Sequence, residues 1–145
     1  VSGHTVGHIA FHVPKAKTAF TADSLMALGC GRLFEGTPAQ MWHSMKKLRD
    51  LPDETRVCSG HEYTQTNAAF ALTIEPDNPH LISRIESITK TRAAGLPTVP
   101  STLAQELHTN PFLRADQPEC QAAVNMSGQP AAEIFAHIRQ MRDNF

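Results

Sequence analysis

Three short segments put a possible metal ligand where an extended run gives way to a loop: Gly3-His4-Thr5, Thr21-Ala22-Asp23 and Ser59-Gly60-His61. Two imidazoles and a carboxylate suit zinc, iron or manganese, and a carboxylate can bridge two cations where an imidazole cannot. The chain holds eight histidines against one tyrosine and one tryptophan, and histidine is the commonest metal ligand near neutral pH. The count decides nothing by itself, because a lone histidine at a strand end is more often a surface or satisfied core residue. No compact H-x-H-x-D-H or H-E-x-x-H run occurs, so on residue chemistry alone a metal site is conceivable but incomplete. A second feature is Arg139 and Arg142, three apart on one helical face. Such guanidinium groups either grip a carboxylate or simply face solvent.

The elements must bring these segments together. From His8 to Val13 the residues alternate, with Ile9, Phe11 and Val13 on one face and His8, Ala10 and His12 on the other, which is strand periodicity. Pro14-Lys15 reads as a turn, and a second strand over Thr18 to Ala22 delivers Asp23 at its end. Gly29-Cys30-Gly31 and Gly36 bracket an irregular loop. Thr37 is a good N-cap, Pro38 suits the first helical position and Gln40 completes a capping box. A helix is therefore predicted to about Asp50, with Met41, Trp42, Met45 and Leu48 as its apolar stripe. Thr55 to Ser59 reads as a strand ending in Gly60-His61. Beyond Thr64 every periodic stretch has helical spacing, which predicts an α/β part over residues 1–64 and an all-α domain over 65–145. Helices are expected over Thr66 to Glu75, from Pro79 to Gly95 with Asn78 as cap, and from a Ser101 cap through Leu107. Two more follow, and the last places Ala131, Ile134, Phe135, Ile138 and Met141 on one face.

With 145 residues, 41% of them hydrophobic, the chain can bury a core for one domain or two small ones. A net charge of -1 and a pI near 6.8 supply no basic field for phosphates, which argues against nucleic acid as a partner. Cys30, Cys58 and Cys120 are too widely spaced for a C-x-x-C motif and odd in number, which predicts a reducing, cytoplasmic setting. No apolar stretch approaches the roughly 20 residues of a membrane span, and no secretory signal pattern opens the chain, so no membrane partner is expected. A monomer is the expected state.

Several segments carry a family resemblance. Val1-Ser-Gly-His-Thr-Val-Gly-His-Ile9 resembles the T-P-G-H-T-x-G-H segment of the metallo-β-lactamase fold, and Thr21-Ala-Asp-Ser-Leu25 its G-D-T-L segment. Gly29-Cys-Gly-Arg-Leu-Phe-Glu-Gly36, Cys58-Ser-Gly-His-Glu-Tyr-Thr64, Thr98-Val-Pro-Ser-Thr-Leu103 and Asn110-Pro-Phe-Leu-Arg114 are more specific. In order, and over essentially all 145 residues, they are similar to the glyoxalase II family of hydroxyacylglutathione hydrolases. The resemblance implies an α/β fold, the second half of a metallo-β-lactamase αββα sandwich, followed by an all-α glutathione-binding domain. It makes His4 a ligand of one divalent metal ion, His61 a ligand of the other and Asp23 the bridge, with zinc the first expectation and iron or manganese the alternatives. The implied chemistry is attack of a metal-bridging hydroxide on an S-2-hydroxyacylglutathione, S-D-lactoylglutathione above all. The products are a 2-hydroxy acid, D-lactate in that case, and glutathione, as in the second step of methylglyoxal detoxification. Asp23 is catalytic in that sense. No protein nucleophile is required, so Cys30 and Cys58 read as small buried residues. The glutathione contacts carried over are Arg32, Phe34, Tyr63, Arg139 and Arg142, with Phe34 lacking the hydroxyl of the family pattern. Arg114 reads equally as a contact between domains, and His8 as a group supporting a ligand rather than a ligand.

Departures from the pattern are Val1-Ser2 for Thr-Pro, Ala22 for the glycine before the bridging aspartate, and Ser24 for threonine. All are small changes that remove no metal-binding atom. The family's H-x-H-x-D-H segment, which supplies most ligands, is not among the 145 residues, and Val1 stands where an initiator methionine would. The expectation is a C-terminal part of a longer protein, with strands that expose edges and apolar faces, and with poor metal binding and little or no hydrolysis on its own. The competing expectations are another activity on the same fold, such as a persulfide dioxygenase or lactamase, and a non-catalytic remnant that binds glutathione conjugates.

Overall fold

The protein is described by a computed structural model covering residues 1–145. Local signals in the sequence translate directly at the first helix. Thr37 Oγ1 accepts from the Gln40 amide at 3.2 Å and Gln40 Oε1 from the Thr37 amide at 2.8 Å, satisfying two donors that a helix start leaves without partners. Pro38 opens α1 (Pro38–Arg49), whose Met41, Trp42, Met45 and Leu48 are buried as the spacing predicts.

The strands are shorter than their periodic runs. β1 (Phe11–Val13) pairs antiparallel with β2 (Thr18–Ala22), and residues before Phe11 run as loop although the alternation starts at His8. The segment read as irregular from Gly29 contains half of a small hairpin, β3 (Leu25–Met26) with β4 (Gly29–Cys30). β5 (Arg56–Ser59) lies parallel to β2 on its other side. The sheet is completed by β6 (Ser101–Thr102), antiparallel to β5, giving the order β1-β2-β5-β6.

The remaining elements are helical. α2 (Thr64–Ile74) starts two residues before the expected Thr66, and α3 (Pro79–Ala93) is capped by Asn78 Oδ1, which accepts from the His80 and Leu81 amides. The cap of α4 (Leu103–Thr109) is Thr102 rather than Ser101, with Gln105 closing a second capping box. The reason is tertiary: Ser101 is drawn into pairing with Val57. α5 (Pro118–Ala123) and α6 (Ala131–Asp143) follow. No helix is long and apolar enough to cross a membrane.

Core residues come from both sides of position 64. Leu25, Met41, Trp42, Met45 and Val57 share one buried cluster with Phe70, Leu103, Phe112, Leu113, Ile134, Phe135 and Ile138. Burying each such side chain stabilises by about 1.5–3 kcal/mol, so α6 is seated chiefly by Ile134, Phe135 and Ile138, none of which is exposed. The opposite face of the sheet is bare. Ile9, Phe11 and Phe20 remain 62%, 62% and 51% exposed, an apolar surface of the kind the strand pattern leads one to expect.

Candidate functional site

Parallel pairing of β2 with β5 sets the C-terminal ends of these strands side by side. Phe20 is in register with Cys58 and Ala22 with Ser59 across a bulge, and the Gly60 amide donates to the Ala22 carbonyl at 3.0 Å. The bulge turns Ala22 to φ 45°, the left-handed region that costs an alanine about 1–2 kcal/mol. The substitution of alanine for glycine at this position, conservative in side-chain size, therefore falls on backbone that favours glycine. Just beyond, His61 Nε2 lies 3.3 Å from Asp23 Oδ1.

His4 arrives from the N-terminal loop. Its Nε2 lies 3.8 Å from Asp23 Oδ2, while its Nδ1 sits 2.7 Å from the Arg32 carbonyl. A carbonyl only accepts, so that contact calls for a proton on Nδ1 and turns Nε2 toward Asp23. Two glycines make room for this convergence. A Cβ on Gly31 would stand 2.8 Å from His4 Nδ1 and 2.1 Å from the Asp23 carbonyl oxygen, and one on Gly60 would stand 2.8 Å from Asp23 Oδ1. Aromatic rings back both imidazoles: Tyr63 stacks on His61 with centroids 4.7 Å apart, and Phe34 tilts against His4 at 5.1 Å. His8 meets the His4 ring edge-on at 5.7 Å, with its own Nδ1 3.0 Å from the Ile9 carbonyl.

No three histidine, cysteine, aspartate or glutamate side chains converge on a single metal position. The arrangement is instead two imidazole–carboxylate pairs sharing Asp23, one oxygen facing each imidazole. Asp23 Oδ1 is buried and accepts no hydrogen bond, because the 3.3 Å approach of His61 is an ion-pair distance without hydrogen-bond geometry. A buried carboxylate oxygen without a hydrogen-bond partner, on an aspartate with an imidazole nitrogen facing each oxygen, is a donor set that would fit divalent metal ions supplied with further ligands.

Beside this pair lies a cluster of guanidinium groups. Arg139 is 7% exposed, so it does not stand on an open helix face. Its Nη1 donates to the Cys30 carbonyl at 2.8 Å and its Nη2 to Asp143 Oδ1 at 2.9 Å. Arg32, mostly exposed, donates through Nε to the same Asp143 oxygen at 3.2 Å. Arg142 has no carboxylate partner. It lies over the Phe70 and Phe145 rings at 5.9 and 5.8 Å and reaches Asn67 Oδ1 at 3.4 Å. Burial, and then the nearby charge of Arg139, push the Arg142 guanidinium below its ordinary pKa.

The β4 loop joins the two halves. Gly31 abuts Asp23 and His4, the Arg32 carbonyl orients His4, and the Cys30 carbonyl anchors Arg139. A second tie secures the other side, where Glu62 Oε2 accepts from the Thr98 amide at 3.0 Å and Oε1 from the Thr98 hydroxyl. Partial burial raises the Glu62 pKa, but the Thr98 hydrogen bonds outweigh it and hold the carboxyl below its ordinary value. Asp143, Asn67 and Glu62 carry no signal of their own in the sequence, although Glu62 lies within Cys58–Thr64 and its partner Thr98 opens Thr98–Leu103. Arg114 is a structural strut, bidentate to Glu75 at 2.9 and 3.0 Å. Burial pushes the Cys30 thiol up to about 11 and the Cys120 thiol up to about 12, so neither is a thiolate near neutral pH. Cys58 is half-buried.

Comparison with known proteins identifies the family of the chain. Hydroxyacylglutathione hydrolases of Jannaschia sp. (strain CCS1), Roseobacter denitrificans (strain ATCC 33942 / OCh 114) and Ruegeria pomeroyi (strain ATCC 700808 / DSM 15171 / DSS-3) are 68%, 65% and 63% identical over 145 residues. Each match covers 100% of this chain and 57% of the relative, so the chain spans somewhat over half the length of the curated relatives it matches. A solved metallo-beta-lactamase from Staphylococcus aureus subsp. aureus COL aligns at 22% identity and TM-score 0.48, over 97% of this chain and 36% of that one. The family described as Hydroxyacylglutathione hydrolase C-terminus matches residues 62–145, the stretch from Glu62 that holds Tyr63, Asn67, Arg139, Arg142 and Asp143. With more than half of its residues inside that match, the chain belongs to the hydroxyacylglutathione hydrolase C-terminus family.

Proposed function

We propose that these residues form the C-terminal part of a hydroxyacylglutathione hydrolase, contributing glutathione recognition and one side of a two-metal site. The reaction is hydrolysis of an S-2-hydroxyacylglutathione, S-D-lactoylglutathione in particular, to the 2-hydroxy acid and glutathione. The observation that carries this reading is the β4 loop, which ties a carboxylate flanked by two imidazoles to a cluster of three guanidiniums through the carbonyls of Cys30 and Arg32. A substrate with peptide carboxylates at one end and a hydrolysable acyl group at the other matches such a pair of neighbouring sites.

His4, Asp23 and His61 would hold the ions, with zinc suiting the nitrogen and oxygen donors and iron or manganese as alternatives. Bound there, two divalent cations supply an acidified water and a Lewis acid for the thioester carbonyl. Everything else falls to the chain. Arg142, which has no carboxylate partner, and the Nη nitrogens of Arg32 can donate to the glycyl carboxylate of glutathione, which also relieves the repulsion between guanidiniums. Tyr63 offers a hydroxyl beside His61, whereas Phe34 offers only an apolar edge beside His4. The protonated, buried thiols of Cys30 and Cys120 take no part. In this reading the bare face of Ile9, Phe11 and Phe20 is where the other half of an αββα sandwich packs.

The test is release of free thiol from S-D-lactoylglutathione by the full-length protein. Asp23→Ala and His61→Ala each abolish it, and near-normal turnover by either variant refutes the assignment. The 145 residues alone offer one imidazole and one shared carboxylate per ion, so two tightly bound ions per isolated chain in a metal titration would contradict the same reading.

A further inference from the structure

We infer that Asp143 is a positioning residue for the anion site: its carboxylate fixes the Arg32 and Arg139 guanidiniums so that Arg32 and Arg142 present a preformed cradle to a ligand carboxylate. This rests on the glutathione-binding reading above and assigns the device that sets its selectivity.

The geometry comes first. A single oxygen, Asp143 Oδ1, accepts from Arg32 Nε at 3.2 Å and from Arg139 Nη2 at 2.9 Å. Arg32 is engaged by its side chain nowhere else, so the carboxylate holds the inner edge of the guanidinium and leaves the outer fork open. Arg139 then transmits the constraint, since its Nη1 is bonded to the Cys30 carbonyl in β4. Asp143 thus sets the distance between the end of α6 and the loop that carries Arg32 and orients His4.

The stabilising contact of Asp143 is its pair with Arg139, whose side chain is 8% exposed; stability does not account for its second contact, to Arg32. Asp143 is the last residue of α6, where the negative end of the helix dipole disfavours a carboxylate. Its pair with Arg32 joins side chains that are 32% and 58% exposed, and exposed pairs contribute little. The link from Asp143 to Arg32 adds little stability, and such a link is expected where function requires it. The charge balance gives the function its direction. Three guanidiniums face one carboxylate, leaving positive charge for a ligand anion even with Asp143 in place.

A competing role for Asp143 is a counter-charge that the ligand displaces, and the two roles predict opposite signs. If Asp143 positions the cradle, removing its charge weakens binding of the carboxylate. If Asp143 competes with the ligand, removing its charge tightens it.

The experiment is calorimetric titration of the chain and of Asp143→Asn and Asp143→Ala with S-hexylglutathione and with its glycyl amide, alongside thermal unfolding of each protein. The wild-type chain is expected to prefer the free acid by roughly tenfold, the scale of one charge-assisted contact. Asp143→Asn is expected to lose most of that preference while binding the amide within about twofold of wild type, with its melting point lowered only by the weakened pair with buried Arg139. If Asp143→Ala fails to fold, the near-isosteric Asn variant decides alone. Equal or tighter binding of the acid by Asp143→Asn overturns the proposal, and so does a parallel loss of acid and amide, which marks a merely structural role. A wild-type chain that binds neither compound removes the glutathione reading and this inference with it, whereas wild-type binding with an unaltered variant removes the inference alone.

Discussion

The phenol ring of Tyr63 lies flat against the imidazole of His61, ring centroids 4.7 Å apart and planes 10° from parallel. Tyr63 is 52% exposed, so the stack orients His61 more than it stabilises the fold, aromatic pairs contributing about 0.5–1.5 kcal/mol. Tyr63→Phe is expected to keep the ring-current shift of the His61 imidazole protons in nuclear magnetic resonance spectra. Tyr63→Ala is expected to abolish it, with little change in melting temperature. An unchanged His61 spectrum in the alanine variant would show that the ring is held by other contacts.

Glu106 is fully buried and serves three donors at once: Arg84 Nη2 at 2.5 Å, the Leu28 amide at 2.8 Å and Asn110 Nδ2 at 3.0 Å. The Leu28 amide belongs to the β3–β4 turn, so this carboxylate joins α4 to the hairpin that leads into the site. Removing it leaves the Arg84 charge buried and without its carboxylate, an error that costs about 3–5 kcal/mol. Glu106→Ala should lower the urea midpoint accordingly without changing the slope of the transition. A loss under about 1 kcal/mol would mean that water replaces the carboxylate and that the network is not cooperative.

The buried thiols make stability fall at alkaline pH. Cys30 and Cys120 have ordinary values of 9.0 and are pushed up to about 11 and about 12 by burial. Both groups are therefore protonated in the folded state at pH values where the unfolded chain has released its protons. The stability they contribute is complete below about pH 9 and is lost as the pH rises toward the folded values, at up to about 1.4 kcal/mol per unit for each thiol. Urea unfolding at about pH 8 and about pH 10 should show this loss, and Cys30→Ala or Cys120→Ala should flatten the slope whatever its offset. An identical slope in both variants would assign the alkaline loss to other groups.

Much of this arrangement is legible in the residues because its causes are short-range. The Thr37–Gln40 capping box, the Met41-Trp42-Met45-Leu48 stripe and the Ile134-Phe135-Ile138 face each depend on spacing within one helix, and strand ends predict where Asp23 and His61 emerge. What the sequence conceals depends on distant partners. Ser101 and Thr102 form a strand only because Val57 and Arg56 accept them, and two-residue strands such as Leu25–Met26 carry no period to detect. An arginine on an amphipathic helix reads as exposed, yet Arg139 is buried, with Cys30 and Asp143 satisfying its two Nη nitrogens. Asp143 itself escaped notice, since nothing local to a helix end marks a carboxylate as the partner of Arg32.

Gly60 and Gly95 separate the two reasons for which a position needs glycine. A Cβ on Gly60 would press on Asp23 Oδ1 at 2.8 Å and meet its other neighbours only at 3.7 Å and beyond, whereas Gly95 has open space around it but a φ of +73°. Gly60→Ala should therefore turn the Asp23 carboxylate away from His61 at little global cost, within about 0.5 kcal/mol as for other surface changes. Weak zinc binding by the chain, followed through the His4 and His61 resonances, should fall about 10- to 100-fold, the usual consequence of disturbing what supports a ligand. Gly95→Ala should do the reverse, destabilising by about 1 kcal/mol through strained backbone and leaving zinc binding unchanged. If Gly60→Ala binds zinc as wild type does, the closeness of Gly60 to Asp23 has no part in the site, and the shared carboxylate must be positioned by the β2 bulge alone.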